Sequence, residues 1–266
     1  MTWARVVRAE LGKALTLPAT WAGVGVAAGG SLALTLLNAS IVQRAMQAGR
    51  VEDYVSSSPV ETAFAAMPLG TVGAVVIGVV VMSSEYASGS AEVGGGRQIG
   101  ATLTAMPRRG RLLAAKAAVV AALVVGVAAV TLPAAIGLAR LVLRAGAVDG
   151  AVETVGVGDA VLRCAGGTLY WVLTGVLALA ITALARSGIV PLLVLVVNSS
   201  IVSVSLLLTH VTPLAYWLPD LAGMRLFGGV EVDPGGLDAL PGALVMAAWA
   251  FGVLLVGALV LRRRDA

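Results

Sequence analysis

The chain has 266 residues, of which 59% are hydrophobic and 12% are charged, and its formal net charge is +4. Soluble domains carry about 25% charged residues, so this composition excludes an ordinary water-soluble domain and predicts a protein that lies in a membrane. The basic residues stand at the ends of apolar runs, and we therefore expect no nucleic-acid partner. A single cysteine, Cys164, excludes an intramolecular disulfide and is interpreted as a packing residue.

Six runs without charged residues are each long enough to cross a bilayer, since about 30 Å of hydrocarbon requires about 20 helical residues. They are Ala14–Gln43, Thr62–Ser84, Ala117–Ala139, Cys164–Ala185, Ser187–Pro219 and Ala239–Leu261. Lipid does not tolerate unpaired backbone groups, so we expect all six to be helical. The predicted fold is an all-α, polytopic membrane protein with about six transmembrane helices in one domain, residues 1–266. The first run is about twice as long as the apolar region of a signal peptide, so we expect no cleavage there.

The distribution of basic residues predicts the orientation of the spans. With the N-terminus inside, twelve of the 18 basic and four of the 14 acidic residues fall on the cytoplasmic face, which then carries a formal charge of +8. The outer face is left with −4. The same orientation places the basic C-terminal residues Arg262, Arg263 and Arg264 inside. We therefore expect a multi-pass protein of the cell membrane whose two termini are cytoplasmic.

The first 17 residues form a predicted amphipathic helix in the cytoplasmic interface. On a helical wheel Trp3, Val6, Val7, Leu11 and Leu15 share one side, although Glu10 interrupts this apolar arc. Pro18 is expected to mark the turn into the first span. The alternative is that the segment continues the first span into the cytoplasm.

The largest of the predicted cytoplasmic loops comprises residues 85–116. A glycine run, 94–96, precedes the helix-favouring stretch Gln98–Ala105, which Pro107 ends. We therefore expect a short cytoplasmic helix there. The basic cluster Arg108–Arg111 would bind either anionic headgroups or an acidic partner surface. On the other side of the membrane, residues 210–240 contain aromatic residues broken up by proline and glycine, and short helices are expected.

Several kinds of chemistry have no support in the sequence. Lys13 and Lys116 are the only lysines and each precedes alanine, so the phosphate-binding loop of ATPases is absent. The single histidine, His210, lies at an outer boundary and is interpreted as a solvated residue. We therefore predict no enzyme activity, no catalytic residue, no metal site and no cofactor bound by this chain. No charged residue interrupts the interior of a run, which disfavours an ion-driven transporter.

The polar residues within the runs are uncharged. Asn198, Ser199 and Ser203 in the fifth run, and Asn38 in the first, would either form hydrogen bonds between helices or face a substrate path. Small residues are spaced as packing ridges at Gly25 and Gly29, and at Gly70, Ala74 and Gly78. We expect both ridges to form contacts within the chain.

The sequence resembles the membrane subunits of type-2 ABC exporters, in their actinobacterial branch, over essentially its whole length. Four segments carry the resemblance. They are RAELGKALTLPATW from Arg8, which resembles the family's interfacial helix; Ser84-Glu85-Tyr86 with Gly89; Thr102-Leu103-x-Ala105-x-Pro107-Arg108-Arg109-Gly110-Arg111 with Ala115-Lys116; and Trp217-Leu218-Pro219-Asp220-x-x-Gly223, which resembles the family's outer hairpin. The glycine-rich stretch Ala91–Arg97 is longer than in the shortest family members, which leaves the limits of the coupling helix open.

This resemblance implies a permease that expels a lipophilic compound, such as a drug, a peptide antibiotic or a lipid. Mg-ATP would bind to a separate ATPase subunit, and a second permease copy, identical or related, would complete the transporter. Membrane lipids surround it. The residues implied in coupling to the ATPase are Glu85, Gln98, Thr102, Arg108, Arg109 and Arg111.

Three alternatives are weighed against the exporter. An ABC importer permease would carry a Glu-Ala-Ala loop, which the sequence lacks. An intramembrane enzyme would carry paired carboxylates or several histidines within its spans, and these are lacking too. A non-transporting membrane scaffold or sensor subunit stays open.

Overall fold

The structure, a computed structural model, describes residues 2–50, 56–86, 109–146, 155–200, 203–228 and 235–263. Helices make up nearly all of these ranges, and no strand occurs in them. The described chain therefore agrees with the predicted all-α class.

Eleven α-helices occur in the described ranges, and short 3₁₀ or π turns extend some of them. They are α1 (Trp3–Thr16), α2 (Pro18–Gly25), α3 (Ser31–Gln47), α4 (Pro59–Phe64), α5 (Met67–Ser83), α6 (Arg109–Gly146), α7 (Val157–Ala185), α8 (Ile189–Ser200), α9 (Val204–Thr209), α10 (Pro219–Gly223) and α11 (Ala239–Arg263). A π turn, Val26–Gly30, joins α2 to α3, so that both belong to one long helical segment.

Five helical segments are long and apolar enough to cross a membrane. They are Pro18–Gln47, Pro59–Tyr86, Gly110–Ala145, Val157–Ala185 and Ala239–Leu261. Each of them contains most of one predicted run, so the prediction of a multi-pass membrane protein is confirmed for five of the six runs. The second and fourth segments are the most buried and form the centre of the bundle.

The N-terminal helix is separate from the first span. α1 ends at Thr16 because Leu17 has an extended backbone, and Pro18 then begins α2. Proline suits the first turn of a helix, where its missing N–H group is not needed. The alternative of one continuous helix is therefore wrong. The buried face of α1 also differs from the predicted arc, since it consists of Val6, Glu10 and Ala14, whereas Trp3 is exposed.

Close helix contact at the centre of the bundle depends on glycine. A Cβ atom at Gly78 of α5 would overlap the backbone carbonyl of Gly175 in α7, and one at Gly70 would overlap the buried ring of Trp171. Small residues let helix backbones approach in this way in membranes. The prediction that this ridge packs within the chain is confirmed.

The other predicted ridge does not pack within the described chain. A Cβ atom at Gly25 or Gly29 would meet no atom within 4 Å, and both glycines are exposed. The neighbouring Gly23 packs against α5 instead, where a Cβ would lie 2.9 Å from Ile77. The expected intrachain contact of Gly25 and Gly29 is therefore wrong, because the helix presents Gly23 to α5 and turns the ridge outward.

The fifth apolar run is not one continuous helix. α8 ends at Ser200 and α9 begins at Val204, while Ser203 between them has an extended backbone. Beyond α9 the chain forms a 3₁₀ turn, Pro213–Trp217, followed by α10. Short helices are therefore present among the described residues of the range 210–240, as predicted.

The segment that precedes α11 is packed firmly onto the bundle. Gly223 lies against Tyr170 and Met246, and a Cβ atom at Gly242 would overlap the carbonyl of Ala222. Phe227 stacks on Phe64 with ring centroids 6.4 Å apart. The segment therefore closes one end of the helix bundle.

Candidate functional site

Four charged side chains meet at the other end of the bundle, beside the ends of the predicted cytoplasmic loop. Glu10 and Lys13 come from α1, Glu85 from the 3₁₀ turn that ends the second span, and Lys116 from the second turn of α6. We call these four residues the inner charge cluster. It joins three elements that are distant in sequence.

Lys116 is the centre of this cluster. Its Nζ atom lies 2.8 Å from Glu85 Oε1 and 2.6 Å from Glu10 Oε2, and it donates a 3.3 Å hydrogen bond to the carbonyl oxygen of Val81. A lysine ammonium has three donors, so these three contacts satisfy it fully. Lys13 donates to the same oxygen of Glu85 that faces Lys116.

Three of the four side chains are almost completely buried. Glu85 and Lys116 are 0% and 1% exposed and Glu10 is 7% exposed, whereas the Lys13 side chain is 23% exposed. Two lysines oppose two glutamates, so the cluster is electrically neutral. Desolvation of such charges is tolerated when they are paired and hydrogen-bonded, whereas removal of one partner leaves an uncompensated buried charge.

Two further contacts connect the end of the second span to the fourth span. The hydroxyl group of Tyr86, next to Glu85, donates a 3.2 Å hydrogen bond to the carbonyl of Ala183 near the end of α7. Gly188, just beyond α7, packs on Ser83. The end of the second span is therefore linked to α1, α6 and α7 together.

The predicted coupling residues fall partly outside the described chain. Gln98, Thr102 and Arg108, and with them the predicted helix Gln98–Ala105, lie outside the described residues. Arg109 begins α6, and Arg111 is exposed two residues later. Glu85 is the one coupling residue whose side-chain partners are described, and it lies inside the bundle.

Three of the four predicted substrate-path residues lie at the break between α8 and α9, and the fourth lies on α3. Asn198 of α8 donates a 2.8 Å hydrogen bond to Asp220 of α10, and its Oδ1 atom accepts one of 3.3 Å from the backbone N–H of Ser205. The amide of Asn198 therefore connects α8 to both α9 and α10. These hydrogen bonds account for a polar side chain at this position. Ser203 accepts a 3.2 Å hydrogen bond from the backbone N–H of Leu206 as the N-cap of α9.

The other two candidates, Ser199 and Asn38, are half-buried. Ser199 follows Asn198 on α8, and Asn38 lies on α3 in the first span. Neither side chain forms a hydrogen bond with another residue of the described ranges.

Sequence reasoning missed Glu10, Lys13 and Lys116 as members of a buried site. A signal for them existed, because Glu10 stands within the apolar arc of α1, where a carboxylate would be buried without a partner. The spacing of Glu10 and Lys13 places both on adjacent turns of one helix, so that both reach the same neighbours. Lys116 is the last charged residue before the third run and was assigned to the loop.

A metal centre has no candidate among the residues that the structure describes, since no three histidine, cysteine, aspartate or glutamate side chains group together there. Comparison of the chain with models of known protein families and with curated proteins finds no match.

Proposed function

We propose that this chain is the membrane subunit of an ATP-driven exporter that moves a lipophilic compound out of the cell. A separate ATPase subunit would bind Mg-ATP and supply the energy. The observation that carries the proposal is the inner charge cluster, because it lies where both ends of the loop 87–108 enter the bundle. A partner that moved this loop would act on α1, on the second span and on α6 at once.

The geometry of the cluster suits transmission of force. The three contacts of Lys116 hold α6 to Glu85 and Glu10 without a water-exposed gap. Packed protein cores change between discrete arrangements and do not deform continuously. Glu85, being buried, would act on a partner only through this linkage, whereas exposed Arg111 and the basic residues before it would contact an ATPase directly.

A sixth crossing of the membrane is part of the proposal. Residues 189–209, which include α8 and α9, would span about 31 Å if they were collinear, at about 1.5 Å for each residue. That length matches the hydrocarbon thickness of about 30 Å. A broken helix is tolerated in a membrane where side chains satisfy the freed backbone groups, as Asn198 and Ser203 do here. Six crossings would leave both termini in the cytoplasm, as the basic residues favour.

The exposed ridge of the first span supports a second permease copy as a partner. Gly25 and Gly29 are four residues apart on an outward face, the spacing at which membrane helices pair closely. In this arrangement the half-buried Ser199 and Asn38 are the candidates for a substrate path, while Asn198 supports the break in the helix.

The second candidate function is a non-transporting scaffold or sensor subunit. The inner charge cluster is also compatible with this function, because a rigid junction could support a bound cytoplasmic partner without any transport. The two functions differ in whether bound cargo changes ATP hydrolysis.

Co-purification tests the proposal. The tagged chain is extracted in mild detergent, and bound proteins are identified by mass spectrometry and assayed for ATP hydrolysis. We expect a stoichiometric nucleotide-binding chain that is lost when Gln98–Ala105 is scrambled and retained when residues 147–154, which belong to the predicted outer segment, are scrambled. Recovery of the chain without any nucleotide-binding partner would contradict the proposal.

A further inference from the structure

An apolar groove lies between the first span and α6. Its volume is about 370 Å³, within the range of small-molecule sites. Leu15 and Trp21 border it from the N-terminal side, and Gly126 and Val130 border it on α6. Trp21 is 57% and Val130 71% exposed, so the groove is open toward the surroundings of the bundle.

The groove lies at membrane depth. Its residues on α6 begin at Ala122, six positions after Lys116, and end at Thr131, fifteen positions after it. At about 1.5 Å for each residue, the groove covers the zone from roughly 9 to 22 Å beyond the inner charge cluster. In a hydrocarbon layer about 30 Å thick, this zone begins in the half nearer α1 and reaches past the bilayer centre. A molecule dissolved in the bilayer would reach the groove from the side.

The walls that an occupant would meet are apolar. Thr20 and Thr131 contribute to the lining, but each is 1% exposed, and their hydroxyl oxygens are buried without a hydrogen-bond partner among the described residues. Gly126 adds free space, since a Cβ atom there would meet nothing within 4 Å. The surface that an occupant would touch is therefore apolar, and an unbranched hydrocarbon chain matches it.

An arginine of α1 lies two helical turns from one of the groove-lining residues. Arg8 precedes Leu15 by seven residues, two turns along the same side of α1, and is exposed. Within the described residues its guanidinium forms no ion pair. Arg5 is also exposed but lies on a different side of α1, about 80° around the helix axis from Leu15.

We propose that the groove binds one anionic phospholipid of the membrane leaflet that contacts α1. One acyl chain would lie between the first span and α6, and Arg8 would hold the phosphate group. Charge-assisted contacts of arginine with phosphate are among the stronger polar interactions, and the open side of the groove lets the lipid enter from the leaflet. The proposal depends on the membrane location of the spans and is independent of any transport activity.

Native mass spectrometry of the full chain in detergent tests this site. The probes are phosphatidylglycerol, which is anionic, and phosphatidylcholine, which is zwitterionic, with identical acyl chains. We expect the first phosphatidylglycerol molecule to bind at least tenfold more tightly than later ones and than phosphatidylcholine. Gly126→Leu, which fills the groove, would weaken this first binding event at least tenfold, whereas Gly137→Leu on the exposed face of the same helix would leave it unchanged.

The headgroup contact has its own matched pair of variants. Arg8→Gln would bring the affinity for phosphatidylglycerol down to that for phosphatidylcholine, and Arg5→Gln would change it less than twofold. Val130→Trp is a second groove-filling variant, and thermal unfolding in lipid-free detergent verifies that each variant is folded. Equal binding of the two lipids by the native chain, or unchanged binding by both groove-filling variants, would overturn the proposal.

Discussion

Lys116 and Glu85 form a 2.8 Å ion pair that is almost completely buried, although the two residues stand at opposite ends of the long loop between the second and third spans. Glu10 completes the contacts of Lys116 from a third element, α1. Charged groups that are almost completely buried thus connect the two ends of this loop to α1. The proposed coupling of an ATPase to this chain depends on this junction.

Loss of the central lysine is expected to destabilise the protein strongly. Lys116→Met would leave Glu85 and Glu10 buried with one partner fewer, and breaking a buried ion pair in this way costs about 3–5 kcal/mol. Thermal unfolding in detergent measures the effect. Adding Glu10→Gln to Lys116→Met is expected to restore part of the stability, because Glu10 is the carboxylate left without its lysine, whereas Glu85 keeps Lys13.

An ion pair at the other end of the bundle provides a control for this prediction. Arg163 of α7 pairs with Glu61 of α4, and both side chains are about a quarter exposed, at 28% and 26%. Exposed pairs contribute about 0–1 kcal/mol, so Arg163→Gln should change stability little. Equal losses for Lys116→Met and Arg163→Gln would contradict the assignment of a special role to the inner charge cluster.

The contact between the second and fourth spans should not tolerate even one methyl group at Gly78. In Gly78→Ala the added Cβ would overlap the backbone of Gly175, which cannot move aside as a side chain can. Overpacking of this kind costs about 1–3 kcal/mol and occasionally more. Gly137→Ala in α6 is the matched control, since its Cβ would meet nothing within 4 Å. A folded Gly78→Ala protein with the melting temperature of the native chain would show that these helices do not approach as described.

Asn198 should matter for stability more than its neighbour Ser199. Asn198→Leu would remove the hydrogen bonds to Asp220 and to the backbone of Ser205, and leaving such buried groups unsatisfied costs about 1–3 kcal/mol. Ser199→Ala, in contrast, should leave the melting temperature unchanged. If Ser199 faces a substrate path, its substitution would alter the affinity for cargo instead, which a transport assay with several lipophilic compounds would detect.

The outward ridge of the first span predicts self-association. Gly29→Leu would place a bulky side chain on the exposed small-residue face and should convert a dimer into monomers. Chemical cross-linking in membranes followed by mass measurement reports the change. Gly137→Leu, on an exposed face of α6, serves as the control. An unchanged dimer in Gly29→Leu would move the interface to another surface.

The positions of the membrane helices were predictable because a bilayer requires spans of a minimum length and disfavours charged residues within them. Five of the six charge-free runs lie almost entirely within apolar helices of the structure. The separation of α1 from the first span was also predictable, since Pro18 has no N–H group to continue the preceding helix.

Contacts between distant segments were less accessible to sequence reasoning. The sequence places Lys116 at the end of the predicted loop 85–116, and its burial depends on Glu10 and Glu85, which come from two other elements. The break of the fifth run at Ser203 likewise depends on Asn198 and Asp220, which lie 22 residues apart. Gly25 and Gly29 show the same limit: their spacing indicates a close contact but does not say whether the partner helix belongs to the same chain.

We propose that ATP hydrolysis by a partner is coupled through the predicted cytoplasmic loop to export by this chain. The most direct measurement compares hydrolysis and transport of a fluorescent lipophilic compound in vesicles that contain the chain and its co-purified ATPase. We predict ATP-dependent transport in the native complex. The double variant Arg108→Glu with Arg109→Glu should lose transport and retain hydrolysis. Transport at the native rate by this variant, or hydrolysis by the native complex with no movement of any tested compound, would contradict the account.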